Sequence, residues 1–158
     1  MPNWCNNKAT ITVPNHQTAL GILDASTATS KTRVPGTLLD AIEARDSQLF
    51  NTFHPIPLEV DGNILLNWYD WCCANWGTKW EPNIACVTLL DPCTVEICFD
   101  TAWSPPIEWF TYVGKTYGWE WSLVYIECGM GFAGRAGGDK DGCFDRVHLF
   151  DEGLNSGN

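Results

Sequence analysis

Alternation is the first regularity in this chain. From Asn7 to Val13 the residues Asn7, Ala9, Ile11 and Val13 take turns with Lys8, Thr10 and Thr12, the two-residue period of a strand with one face in a core. Pro14-Asn15 ends that strand, and Asn15 is placed to cap a helix over His16 to Ala25 with Ala19, Ile22 and Leu23 inward. Ser26 to Gly36 is polar and reads as a loop. A second helical stretch starts at Thr37, where Thr37 and Asp40 stand at capping-box spacing, and stops before Pro55. His54-Pro55-Ile56-Pro57 is extended, because each proline pushes its predecessor out of the helical region. The period then changes. Ile64, Trp68, Trp71 and Cys72 recur at i, i+4, i+7 and i+8, which predicts a helix from Ile64 to Asn75 closed by Gly77. Adjacent Cys72 and Cys73 fall on different sides of it, one packed and one at the margin.

Two strands follow, Ile84 to Leu90 and Thr94 to Asp100, around the turn Asp91-Pro92-Cys93. Side-chain parity sets Leu89 against Val95, Val87 against Ile97 and Ala85 against Phe99 on the apolar face, with Cys86 opposite Cys98 and Thr88 opposite Glu96 on the other. Ser104 is read as the cap of the next helix, with Pro105 and Pro106 in its first turn, a buried stripe of Ile107, Phe110, Val113 and Tyr117, and Gly118 at its end. Trp119 to Cys128 is a strand, and the glycine-rich segment after it is an added hairpin ending near Phe150. The order is that of an α+β, ferredoxin-like β-α-β-β-α-β antiparallel sheet with helices on one face, a helical insertion before the second strand and an added C-terminal hairpin. Residues 1–150 make one domain, and 151–158 a frayed tail.

Composition changes this picture in two respects. With 158 residues, 45% of them apolar and nine of them tryptophan, the chain can bury a core without staples, so no cofactor or metal is required for folding. Its formal charge of -10 repels phosphate backbones and anionic membranes, which disfavours nucleic acid as a partner and suits a protein steered toward basic surfaces. The start of the chain lacks a secretory pattern and no apolar run is long enough for a membrane span, so a cytoplasmic setting is expected, with the eight cysteines kept as thiols.

Candidate chemistry is sparse. No C-x-x-C pair occurs, and although Cys86 and Cys98 are expected side by side, no motif brings Cys5, Cys128, His16, His54 or His148 to them, so no metal site is assigned. Nucleophile elbows, phosphate loops and H-E-x-x-H are absent, and Asp139-Lys140-Asp141-Gly142 reads as a polar turn. RNA-binding sheets of this topology stack bases on aromatics of their central strands; here those positions hold Lys8, Thr10 and Thr12, then Thr94, Glu96, Cys98 and Asp100. Two tryptophan-rich segments remain, Asn75-Trp76-Gly77-Thr78-Lys79-Trp80 and Phe99-Asp100-Thr101-Ala102-Trp103-Ser104-Pro105-Pro106. Either Trp76, Lys79, Trp80, Asp100 and Trp103 line a binding site, or they form the rim of a core in which Lys79 satisfies a carboxylate such as Asp100.

The run Pro2-Asn3-Trp4-Cys5, the His54-Pro55-Ile56-Pro57 turn, Trp68-Tyr69-x-Trp71 and the two tryptophan-rich segments resemble the YubB-like family. That resemblance implies a phage or plasmid setting and a ferredoxin-like C-terminal part, with no settled activity. A basic residue commonly follows the second Trp of the W-Y-x-W run in that family, whereas this chain has Cys72 there. Charge and resemblance together lead to an accessory protein that binds a host or defence-system protein, of the anti-restriction or anti-CRISPR kind, rather than an enzyme. The alternative is a small-molecule-binding or enzymatic domain using the tryptophan-rich pocket, and direct nucleic-acid binding ranks third.

Overall fold

In the computed structural model, which describes residues 3–27 and 48–150, the alternation at the start of the chain becomes the centre of a six-stranded sheet. Strand β1 (Trp4–Thr12) is followed by helices α1 (His16–Thr27) and α2 (Leu49–Phe53), a short hairpin β2 (Glu59–Val60) and β3 (Asn63–Ile64), and helix α3 (Trp68–Trp76). Then come β4 (Asn83–Asp91), β5 (Thr94–Ala102), helix α4 (Ile107–Tyr117), β6 (Glu120–Glu127), β7 (Phe132–Gly138) and β8 (Cys143–Leu149). The large sheet runs β4-β5-β1-β6-β7-β8 with every pairing antiparallel. Its first four strands have the spatial order second-third-first-fourth, which makes the fold ferredoxin-like, and the added hairpin continues the sheet beyond β6.

Odd positions of β1 and β5 and of β6 face inward: Ala9, Ile11, Val95, Ile97, Phe99, Trp121 and Leu123 are all buried. Against them lies an aromatic core. The Phe50 ring sits 5.4 Å from Trp76 and 5.0 Å from Trp109, and Phe110 stacks on Trp121 at 5.0 Å. Each such pair contributes about 0.5–1.5 kcal/mol beyond its buried area. Two of the ring nitrogens find partners in and just after α2: Trp76 Nε1 donates to the His54 carbonyl at 2.9 Å and Trp109 Nε1 to that of Phe50 at 3.1 Å, while the buried Trp121 Nε1 has no partner among the described residues. The Trp76 bond ties the start of the extended His54-Pro55-Ile56-Pro57 segment to the end of α3.

Four sequence expectations need correction. The helix expected from Ile64 begins at Trp68, because Asp61 (φ 54°) and Gly62 (φ 82°) form a tight turn that pairs Glu59 with Ile64. Asn67 then caps α3, accepting from the Asp70 amide. In the β4–β5 hairpin a bulge between Ile84 and Cys86 sets Ile84, not Ala85, against Phe99, while Leu89–Val95, Val87–Ile97, Cys86–Cys98 and Thr88–Glu96 pair as expected. Ser104 does not cap α4, whose N-cap position is held by Pro106; its hydroxyl donates instead to the Gly77 carbonyl. In α4 the buried stripe is Trp109, Phe110, Val113 and Gly114, and Tyr117 is exposed with its hydroxyl donating to the Phe53 carbonyl at 2.7 Å. Cys72 is buried and Cys73 exposed, as the helix geometry requires. The expected loop beyond Thr27, the helix start at Thr37 and the tail 151–158 lie outside the described residues.

Candidate functional site

The two tryptophan-rich segments are laced together by their small polar residues. Thr78 Oγ1 donates to the Ala102 carbonyl at 2.8 Å, Ser104 to that of Gly77, and Thr101 Oγ1 to that of Ser104 at 2.7 Å. Asn7 on β1 joins this network, its amide donating to Thr101 Oγ1 at 2.9 Å. Gly77 ends α3 at φ 83°, and any Cβ there would collide with Glu108 and the Pro105 carbonyl. The motif is therefore a junction between the end of α3 and the end of β5.

That junction divides the five candidate residues. Trp76 is 1% exposed and belongs to the core. Asp100 lies on the opposite, open face of the sheet, where its carboxylate accepts from Asn6 Nδ2 at 2.6 Å. Lys79, Trp80 and Trp103 do come together at the surface. The Lys79 ammonium is 4.1 Å from the Trp80 ring centre, 5.9 Å from that of Trp103 and 5.7 Å from that of Tyr69, cation–π geometry on three rings. Lys79 thus rests on aromatic faces, and among the described residues the ion pair is a different one, Lys8 with Glu96 at 3.8 Å. Trp4 extends the cluster, its ring 6.5 Å from that of Trp80. Tyr69 and Trp103 are each 43% exposed.

Trp103 carries φ 72°, in the left-handed region that a bulky residue rarely occupies. The bend is held from both sides, by its own amide donating to the Asn3 carbonyl at 2.8 Å and by the Ser104 amide donating to Ala102 at 2.9 Å. Such strain persists only where the surroundings over-determine it, and here it turns a large ring toward water beside Lys79. Cys73 borders the same cluster; burial raises its thiol first, Asp70 raises it further and Lys79 opposes both.

Sequence reasoning missed a second constellation on the open face of the sheet. There Lys8, Val124, Arg135 and Arg146 fall on one line across β1, β6, β7 and β8. The next line holds Asn6, Ile126, Ala133 and His148, and the two together line a groove of about 660 Å³. The signal was available as the arginines of G-R-A-G-G and D-R-V-H-L, yet placing them opposite each other needs the hairpin register. A smaller recess of about 420 Å³ is lined by His54, Glu108 and Tyr112, with the His54 ring stacked on Tyr112 at 3.5 Å and its pKa lowered by burial. Among the described residues no three of His, Cys, Asp and Glu converge as metal ligands, and no helix is long and apolar enough to cross a membrane.

No curated protein matches the chain. The crystal structure of protein api92 from Yersinia pseudotuberculosis aligns over 95% of this chain and 98% of its own, at 12% identity and a TM-score of 0.49. Residues 75–156, from the end of α3 onward and including the added hairpin, match the family model described as the ferredoxin-like domain in Api92-like protein. That match covers more than half of the 158 residues, and the chain therefore belongs to the Api92-like family.

Proposed function

We propose that this protein is an accessory protein of a phage or plasmid that binds a host or defence-system protein, and that the cluster around Lys79 is its anchor. The observation that carries the reading is the strained, half-exposed Trp103 beside Tyr69 and Trp80, all in contact range of one ammonium. Tryptophan and tyrosine dominate binding hot spots because they bring large area at low entropic cost. The exposed parts of Tyr69 and Trp103 amount to roughly 200 Å² of largely apolar surface, worth about 5 kcal/mol if fully desolvated. The charge of -10 adds long-range attraction to a basic partner, of the kind that normally handles nucleic acid, and makes association weaken as salt rises.

The test compares wild-type protein with Trp103→Gly, a change that removes the ring and relieves the left-handed strain. Tagged protein is recovered from plasmid-bearing or infected bacteria, and the bound partner is mapped by hydrogen exchange on the purified complex. The expected result is one stoichiometric partner that protects amides near Tyr69 and Trp103 and is lost with the variant. A partner retained by Trp103→Gly, or protection confined to another surface, refutes the reading.

A further inference from the structure

The groove on the open face shares no residue with the aromatic cluster, and what it binds is independent of the partner reading. Arg135 and Arg146 stand directly opposite each other on β7 and β8. Like charges in that relation weaken a sheet. Among the described residues no carboxylate pairs with either guanidinium, although the chain as a whole carries ten more negative than positive charges. Arg146 lies 5.7 Å from the Phe144 ring centre, so the pair's positive charge is met by an aromatic face on one side and by no carboxylate among the described residues.

The rest of the groove narrows the class of anion. A carboxylate would leave the arginine pair with an excess positive charge, whereas a phosphate monoester brings nearly two negative charges and three acceptor oxygens. Lys8 lies on the same line, on the far side of Val124. Two strand spacings of about 4.8 Å separate it from Arg135, too far to share one phosphate but within reach of a second acceptor on the same ligand. Between them the floor is apolar: Val124 is 50% and Ile126 39% exposed, and the small side chain of Ala133 lines the groove on β7. Its volume lies within the range of sites for small ligands. A long polyanion fits less well, because β5 beside Lys8 shows Glu96 and Asp100 on the same face.

The hairpin is also fixed from behind. Tyr125 on β6 reaches past β7 to donate its hydroxyl to Asp145 on β8. It can do so because Gly134 has no side chain; a Cβ there would collide with the Tyr125 hydroxyl and the Arg146 carbonyl. This bond sets β8, and with it Arg146, against Arg135 before any ligand arrives.

We infer that the groove binds a nucleotide-sized phosphate ester, the phosphate between Arg135 and Arg146 and the flat body over Val124 and Ile126 toward Lys8. The test is an amide chemical-shift titration of the intact protein with a panel of ribonucleoside monophosphates, diphosphates and dinucleotides. Inorganic phosphate, adenosine and a single-stranded oligothymidylate serve as comparisons. At least one nucleotide should bind with shifts confined to β6, β7, β8 and Lys8, and phosphate and adenosine should each bind at least about tenfold more weakly. The double variant Arg135→Gln/Arg146→Gln should lose at least about tenfold in affinity while melting no lower than wild type, and Trp103→Gly should bind as wild type. The inference is overturned if no nucleotide binds, if inorganic phosphate binds as well as the best nucleotide, or if the double variant binds as wild type. It is equally overturned if oligothymidylate binds most tightly with shifts spreading onto β5, which would make the face a nucleic-acid site.

Discussion

Replacing the buried carboxyl of Glu81 should remove a pH dependence from the stability of this protein. Glu81 is 1% exposed, and its two oxygens each accept one amide at 2.7 Å, from Phe50 and from Asn51 at the start of α2. Burial pushes its pKa up from 4.5 to about 8, with the two amide bonds working in the opposite sense. Because the folded pKa is raised, the proton stabilises the fold: that contribution is complete below 4.5 and is lost as pH rises through about 8. The slope is at most about 1.4 kcal/mol per pH unit, which bounds the whole effect at about 5 kcal/mol. His54 acts in the other direction, since burial lowers its pKa below 6.5, so stability contributed by its neutral form is gained as pH rises to that value. Above about pH 7 His54 is neutral in both states and Glu81 is left to dominate up to about pH 8. Urea melts followed by tryptophan fluorescence across that interval should show the midpoint falling with pH. In Glu81→Gln the fall should vanish, and the curve should lie about 1–3 kcal/mol lower near pH 6, because a carboxamide accepts only one of the two amides. Parallel curves for the two proteins, or a wild-type midpoint that rises over the interval, would refute the reasoning.

Two further outcomes follow from the sheet. Gly134→Ala should destabilise the protein by about 1–3 kcal/mol in the same urea assay, since the added methyl displaces the Tyr125 hydroxyl from Asp145; a change within error would show that the bond across β7 is dispensable. Cys86 and Cys98 are directly opposed, and Cα separations of about 4.5–5.5 Å in antiparallel pairs lie within disulfide reach, so mild oxidant should close this bond and Cys98→Ser should prevent it, as read by intact mass and peptide mapping. Burial, reinforced by the hydrogen bond with Cys86, holds the Cys98 thiol pKa up, so closure should accelerate as pH is raised.

Most of the architecture was legible because period and parity are local properties. The two-residue alternation in β1, β5 and β6 appears in the burial of every other residue, and the left-handed Gly77 and Gly118 end their helices where expected. The start of α3 is not legible in the sequence because Ile64 continues the helical stripe, and its pairing with Glu59 across the Asp61-Gly62 turn is a property of the folded hairpin. Ser104 was misread because a hydroxyl before two prolines has the look of a cap, and its real partner, Gly77, is brought in only by tertiary folding. The site was half legible for the same reason. Lys79, Trp80 and Trp103 could be singled out by type, but Trp76 goes inward and Asp100 to the far face because helical and strand parity place them there. Arg135 and Arg146 are eleven positions apart in the chain and become neighbours only through hairpin register.

The open face of the sheet is electrically two-ended. Glu96 and Asp100 mark it on β5, while Arg135 and Arg146 mark it three and four strand spacings away, about 14 and 19 Å, on β7 and β8. Net charge alone therefore misdescribes how this molecule meets another: a cationic surface turns it to present the β4–β5 end, and a small anion finds the other end in reach. The proposed anion groove and the acidic strand β5 share no residue, so titrating an anion in the presence of a basic partner reads their coupling directly.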